Sequence, residues 1–251
     1  MKKIMSITGI CPLWKEPSCK TEMTSQLLFC EQAIALDEAI DFTFVRCLFD
    51  GYEGWCMNNQ IAGIPASTEF ELKGYINKNG TGALINNHFI HLPIATPVYG
   101  DINFDSLKIE YNNNDYLRTE DIKTGNATAE KIAMLFLNTP YLWGGKSAFG
   151  IDCSGLTQKV FKMMGITLRR DAWQQVAQGE TVDFLQQAQC GDLAFFDNDA
   201  GEIIHVGILL NSSSVIHASG YVRIDDMDNL GIVNAVTGKR THRLRIIKRM
   251  F

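Results

Sequence analysis

At about Gly125 the chain changes texture. Before it, short apolar stretches are interrupted by Gly, Asn and Asp, as in Phe42-Thr43-Phe44-Val45-Arg46-Cys47-Leu48, Asp50-Gly51-Tyr52-Glu53-Gly54-Trp55 and Gly80-Thr81-Gly82-Ala83-Leu84-Ile85-Asn86-Asn87. Such segments predict strands joined by tight turns, and the Asp-Gly and Asn-Asn pairs suit hairpins whose backbone needs positive φ. Short strands without long intervening helices predict one or two small β-barrels, divided near Ile64-Pro65-Ala66-Ser67 and ending near Lys123-Thr124-Gly125. After Gly125, residues 128–137 carry apolar side chains at helical spacing, with Thr128 as N-cap and Pro140 as the stop. A second helix is predicted from Asp152-Cys153 through Leu156, Val160, Phe161 and Met164, closed by Gly165. Strand-like runs follow at residues 192–196, 203–210, 214–217 and 244–247. Helices first and an antiparallel sheet after them make this part α+β.

With 251 residues, 46% of them hydrophobic, the chain can bury more than one core. Its net charge of -5 excludes a sequence-independent nucleic-acid binder, which needs a dense positive surface to displace counterions. The basic residues from Lys239 to Arg249 read as a solvated loop and strand edge. The apolar stretch after Met1-Lys2-Lys3 is too short for a signal peptide and meets Cys11, Pro12 and Trp14 without a cleavage site. No other run approaches the roughly 18 residues that span a bilayer. The expectation is a soluble, cytoplasmic protein without a membrane partner; the sequence says nothing of oligomeric state. Seven cysteines at scattered spacings make no disulfide framework and fit a reducing compartment. They form no zinc set with the five histidines, so neither a metal nor an organic cofactor is expected. Cys11, Cys19, Cys30, Cys47, Cys56 and Cys190 read as small buried hydrophobes.

Cys153 differs from these. A thiol attacks as thiolate, and a helix N-terminus stabilises that anion through unpaired N–H groups and the helix dipole. Gly150 and Gly155 leave room for a tight turn and for close substrate approach. A cysteine nucleophile also requires an imidazole, and the imidazole a third group to set its tautomer. His205 lies in a strand-like segment. His217, twelve residues later on the next one, can lie beside it across a hairpin and orient it. His88, His91 and His242 receive no role.

Tyr141-Leu142-Trp143-Gly144-Gly145, Gly150-Ile151-Asp152-Cys153-Ser154-Gly155-Leu156, Gly191-Asp192-Leu193 and His205-Val206-Gly207-Ile208 occur in the order of the motifs of the NlpC-type (NlpC/p60) cell-wall cysteine peptidases, which the C-terminal half resembles. The resemblance implies a papain-like fold with Cys153 as nucleophile, His205 as base and His217 completing the triad. More narrowly, the chain resembles the γ-D-glutamyl-L-diamino acid endopeptidases, which carry SH3-like domains ahead of the catalytic one. Domains are then expected at 1–64 and 65–124, both SH3-like β-barrels, and at 125–251, the α+β papain-like peptidase. These enzymes cleave the γ-D-glutamyl-diamino acid bond in short murein peptides with a free N-terminal L-Ala, in peptidoglycan recycling. The resemblance makes Trp143, Ser154 and Asp171 substrate-binding residues, the last through Arg170-Asp171. It adds Glu22 and Tyr52 from the SH3-like part as groups that reach the substrate amine. Arg169 stands where the subgroup usually has proline before Arg-Asp. Asp171 also reads as an N-cap for Ala172-Trp173-Gln174-Gln175, and Glu22 and Tyr52 as a surface carboxylate and a packing aromatic. The rival functions are an extracellular hydrolase of intact wall and a non-catalytic wall-peptide binding module.

Overall fold

In the computed structural model, which describes residues 2–104, 107–112 and 116–251, the short apolar stretches ahead of Gly125 are strands. Met1 and residues 105–106 and 113–115, which fall within the two expected barrel domains, lie outside the described residues. The chain divides into two units, one of Met1–Ile122 with Trp143–Phe149, the other of Lys123–Leu142 with Gly150–Phe251.

In the first unit, a seven-stranded antiparallel sheet runs in the order Met23–Leu28, Ile10–Trp14, Glu53–Met57, Phe42–Cys47, Gln32–Glu38, Lys2–Ser6, Ile61–Ile64. Ile4, Cys11, Leu13, Val45, Cys47 and Cys56 form its core. The following segment makes two smaller sheets, one of four strands and one of three, around Met5, Phe29, Ile76, Val98, Ile102 and Ile109. The Asn pair turns the hairpin between Gly82–Ile85 and His88–His91, with φ of 49° at Asn86 and 68° at Asn87. Both central residues of a two-residue turn of this twist need positive φ, which Asn tolerates. Cys30 is buried with this second core, whereas Cys19 is exposed and Cys190 only half-buried. The expectation of buried cysteines therefore fails at those two positions.

In the second unit, a sheet runs in the order Glu180–Val182, Arg240–Arg249, Leu193–Asp197, Ile203–Asn211, Ser214–Ser219, Tyr221–Asp228, Gly231–Val233, and the last strand pairs back onto Arg240–Arg249. The basic strand is thus interior to the sheet, not an edge. Its arginines pair with carboxylates, Arg240 with Asp228, Arg243 and Arg245 with Asp197 and Arg249 with Asp192, and Lys248 donates to the Thr181 hydroxyl. Leu185, Phe196, Leu209, Val215, Ile232 and Ile247 fill one core of the sheet.

Three helices accompany the sheet: α1 (Asn126–Met134), α2 (Cys153–Met163) and the single turn α3 (Ala172–Gln175). Helix α1 begins earlier than its spacing suggests, because Gly125 takes the N-cap position; the Thr128 hydroxyl donates instead to the Lys123 carbonyl at 2.6 Å. Helix α2 packs on α1 and on the strands Ile203–Asn211 and Ser214–Ser219, and every one of its residues is buried. Gly165, at φ of 80°, follows its C-terminus as expected for a left-handed stop.

At the start of α2, the Asp152 side chain accepts a hydrogen bond from the Gly155 N–H at 2.6 Å, a standard N-cap. Arg170, 1% exposed, grips the same carboxylate through both guanidinium nitrogens, at 3.0 and 2.5 Å. A buried pair of this kind is costly to break on one side, because the surviving charge keeps its desolvation penalty without its partner. Arg170→Met is expected to destabilise the protein by about 3–5 kcal/mol in urea unfolding. Adding Asp152→Asn to that variant should restore part of the loss, and a double variant less stable than Arg170→Met would show that the pair is not the source of the effect.

Candidate active site

Cys153 is the first residue of α2, and its thiol is buried, 7% exposed. Burial pushes the thiol up to about 12, and the neighbouring Asp152 carboxylate adds to the rise. Backbone hydrogen bonds from Val206 and Ser154 and the charge of Arg170 act the other way. The Val206 contact places the thiol against the backbone of the residue next to His205. The Ser154 hydroxyl is held between the same two charges, donating to Asp152 at 3.2 Å and accepting from Arg170 at 2.9 Å. Gln175, fully buried, donates to the carbonyls of Ser154 and Arg169 and accepts from the Thr157 hydroxyl, tying the loop that carries Arg170 to the first turn of α2.

Asp171 is the N-cap of α3 in a capping box with Gln174, whose side-chain oxygen accepts from the Asp171 N–H at 3.2 Å. The capping alternative is therefore realised. The residue is half-buried.

His205 and His217 come together as their strands predict. His205 Nε2 lies 2.8 Å from His217 Nδ1, and both rings are buried. Gly207 allows this: a Cβ there would lie 2.6 Å from a Val215 methyl and 3.0 Å from the His217 Cβ, so the glycine of His-Val-Gly is a packing requirement of the imidazole pair. Burial holds His205 well below its usual value, and the neighbouring His242, His217 and Arg223 lower it further. Burial thus works against the charged form of both the thiol and the imidazole.

Two groups around this pair had no role in the sequence reading. The His242 ring stacks on His205, with centroids 4.2 Å apart and planes inclined by 23°, and its Nδ1 meets the Thr241 hydroxyl at 2.9 Å. Burial brings His242 down to about 4. Asp225 meets His217 Nε2 at 3.0 Å and is itself bound by Arg223. One ring nitrogen each of His205, His217 and His242 lies within 4.8 Å of the others, a grouping of three imidazoles that the sequence reading did not anticipate; two of the rings share a hydrogen bond and the third is stacked. Alternation with Leu244 and Ile246 along Arg240–Arg249 puts His242 on their face, whereas Val222 and Ile224 alternate on the face opposite Asp225; the register that brings both residues to these histidines is a property of the closed sheet.

The remaining sequence-predicted residues belong to the first unit. The Trp143 indole donates to the Glu22 carboxylate at 2.8 Å, and Lys15 lies 3.6 Å from the same group. Trp143 is itself 61% exposed. Asp50 accepts from the Tyr52 N–H at 3.0 Å and pairs with the buried Lys146 at 3.4 Å, a partner absent from the sequence reading. Gly144, at φ of 75°, runs against the Met23 carbonyl, which a Cβ would approach to 2.3 Å. That close approach and the positive φ together account for the first glycine after Trp143.

Residues 138–241 match the NlpC/P60 family and residues 13–61 the bacterial dipeptidyl-peptidase SH3 domain. The chain is 37% identical over 113 residues to a γ-D-glutamyl-L-lysine dipeptidyl-peptidase of Bacillus cereus, a match covering 43% of this chain and 34% of that protein. It is 28% identical over 242 residues to dipeptidyl-peptidase 6 of Lysinibacillus sphaericus, covering 85% and 86% of the two. The chain thus spans about a third of the length of the first relative and most of the second. Its fold is that of an NlpC/P60 family protein of Bacillus cereus solved by crystallography, with a TM-score of 0.80 at 21% identity over 98% of this chain and 99% of the other. The chain therefore carries an NlpC/P60 domain over residues 138–241, preceded by a bacterial dipeptidyl-peptidase SH3 domain over residues 13–61.

Proposed function

We propose that the chain is a cysteine peptidase that hydrolyses the γ-D-glutamyl-diamino acid bond of short murein peptides with a free N-terminal L-Ala. The observation that carries this reading is the buried His205–His217 pair on strands against which the Cys153 end of α2 packs. The names of the Bacillus cereus and Lysinibacillus sphaericus relatives, both dipeptidyl-peptidases, support it. In fold terms the proposal makes residues 125–251 papain-like, 1–64 an SH3-like barrel and 65–124 a second one.

In this reading Cys153 passes its proton to His205 and attacks the γ-glutamyl carbonyl. The N–H groups at the start of α2 are suited to hold the resulting oxyanion. His205 then protonates the leaving amine of the diamino acid, a thioester remains on Cys153, and the same imidazole activates the water that hydrolyses it. His217 orients His205. Ser154, Asp171, Glu22, Tyr52 and Trp143 are assigned to substrate binding. Glu22 and Asp171 are the carboxylates suited to an ammonium group, and a site built to pair an amine rejects acylated analogues because its own charges are then left unpaired. That selectivity confines the enzyme to released fragments, as in peptidoglycan recycling. A cytoplasmic location goes with this role.

The test is cleavage, followed by mass spectrometry, of L-Ala-γ-D-Glu-diaminopimelate, its L-lysine counterpart and their N-acetylated twins. Release of L-Ala-γ-D-Glu from free-amine peptides only, abolished by Cys153→Ala, is the expected result. Equal cleavage of the acetylated peptides would overturn the amine-binding roles, and no cleavage of any would overturn the peptidase reading. Glu22→Gln is expected to lower kcat/KM for the free-amine peptide roughly 10- to 100-fold, the range of a hydrogen bond to a charged group, while leaving the rate of Cys153 alkylation by iodoacetamide unchanged.

A further inference from the structure

We infer that Asp225 is a positioning residue that sets the tautomers of His217 and, through it, of His205, leaving Nδ1 of His205 as the nitrogen free to take a proton. The inference deepens the cysteine peptidase reading and rests on it for its catalytic meaning. It does not rest on that reading for its structural content.

Protons along this buried chain of groups can be placed one after another, starting from the carboxylate. Asp225 is 2% exposed, and both of its oxygens are occupied by donors: Oδ2 faces His217 Nε2 at 3.0 Å and accepts from Arg223 Nε at 2.9 Å, and Oδ1 accepts from the Ala235 N–H at 3.1 Å. Burial alone would raise its pKa, but the hydrogen bonds from His217 and Ala235, with the charge of Arg223, bring it below the usual carboxylate value. An ionised carboxylate has no proton to give, so in the Asp225–His217 contact the proton belongs to His217 Nε2. A neutral His217 then has a bare Nδ1. Because that atom lies 2.8 Å from His205 Nε2, the proton between the two rings belongs to His205 Nε2. A neutral His205 carries only one N–H, which leaves its Nδ1 bare.

Removing Asp225 frees the opposite arrangement. His217 can then carry its proton on Nδ1 and donate to His205 Nε2, which places the His205 proton on Nδ1 and blocks the base. His242 on the strand Arg240–Arg249 stacks on His205, and Arg223, beside Asp225, carries donors only and cannot replace the carboxylate as an acceptor for His217 Nε2. No covalent step is added to the reaction; Asp225 acts only by deciding where two protons sit at rest.

The experiment is long-range 1H–15N NMR of the histidine rings in wild type at neutral pH, with kinetics on Asp225→Ala and Asp225→Asn. Wild type is expected to show the protons of His205 and His217 on Nε2 and none on Nδ1 of either ring. A His217 proton on Nδ1 would overturn the proposal, whatever the enzyme does to peptides. Asp225→Ala, with folding checked by thermal melting, is expected to mix the tautomers and lower kcat by roughly 10²- to 10⁴-fold with KM little changed, as when the orienting acid of a catalytic triad is lost. Asp225→Asn, whose amide can turn a donor toward His217 Nε2 and so impose the opposite tautomer, is expected to lower kcat as well. A folded Asp225→Ala with wild-type kcat would overturn the proposal, and if that variant does not fold, the wild-type tautomers decide it. If wild type cleaves no murein peptide, the peptidase reading fails while the tautomer measurement still stands.

Discussion

The second unit is organised around a carboxylate that cannot be left alone. Asp152 is buried one residue before the candidate nucleophile, where it caps a helix that has no exposed face. An isolated charge in that position would not be tolerated, so Arg170 has to be buried with it, and the loop that carries Arg170 has to be held by Gln175. The cap fixes where α2 begins, and the start of α2 fixes where the Cys153 thiol points its sulfur relative to the backbone of Val206. The same carboxylate works against the thiolate by its charge, and Arg170 offsets this. Structural and chemical demands therefore meet in one ion pair.

From the other side, the imidazoles form a directional chain rather than a cluster. His205 meets His217, His217 meets Asp225, and Asp225 is bound by Arg223 and the Ala235 N–H. The links from His205 to Asp225 run between neighbouring strands and the Arg223 link within one, while Ala235 donates from the turn after Gly231–Val233. The stacked His242 closes one face of His205 without competing for its hydrogen-bonding nitrogens. In the first unit a comparable economy holds: Gly144 lets the backbone pass the Met23 carbonyl, and Trp143 and Lys146 on either side of it reach Glu22 and Asp50.

Much of this was legible in the residues. Period-two and helical patterns placed the principal strands and α2, the Asn86-Asn87 pair marked its hairpin, and the spacing of His205 and His217 foretold their pairing across adjacent strands. Local chemistry sets these features, because backbone propensity and side-chain period act over a few residues. Two expectations differ from the structure: Gly125, three residues earlier, takes the cap expected of Thr128, and Arg240–Arg249 is interior to its sheet because Glu180–Val182, Leu193–Asp197 and Gly231–Val233, distant in sequence, pair with it.

The sequence by itself determined which residue types carry chemistry: a cysteine at a helix start, two histidines one hairpin apart, and glycines where backbone or ring must pass closely. Only the tertiary structure decided their partners. That Arg170 binds Asp152, that His242 stacks on His205 and that Asp225 completes the histidine chain depends on sheet closure and loop packing between residues 8 to 37 positions apart. No local pattern encodes such contacts, because their energies arise from burial, and burial exists only once the whole unit has closed.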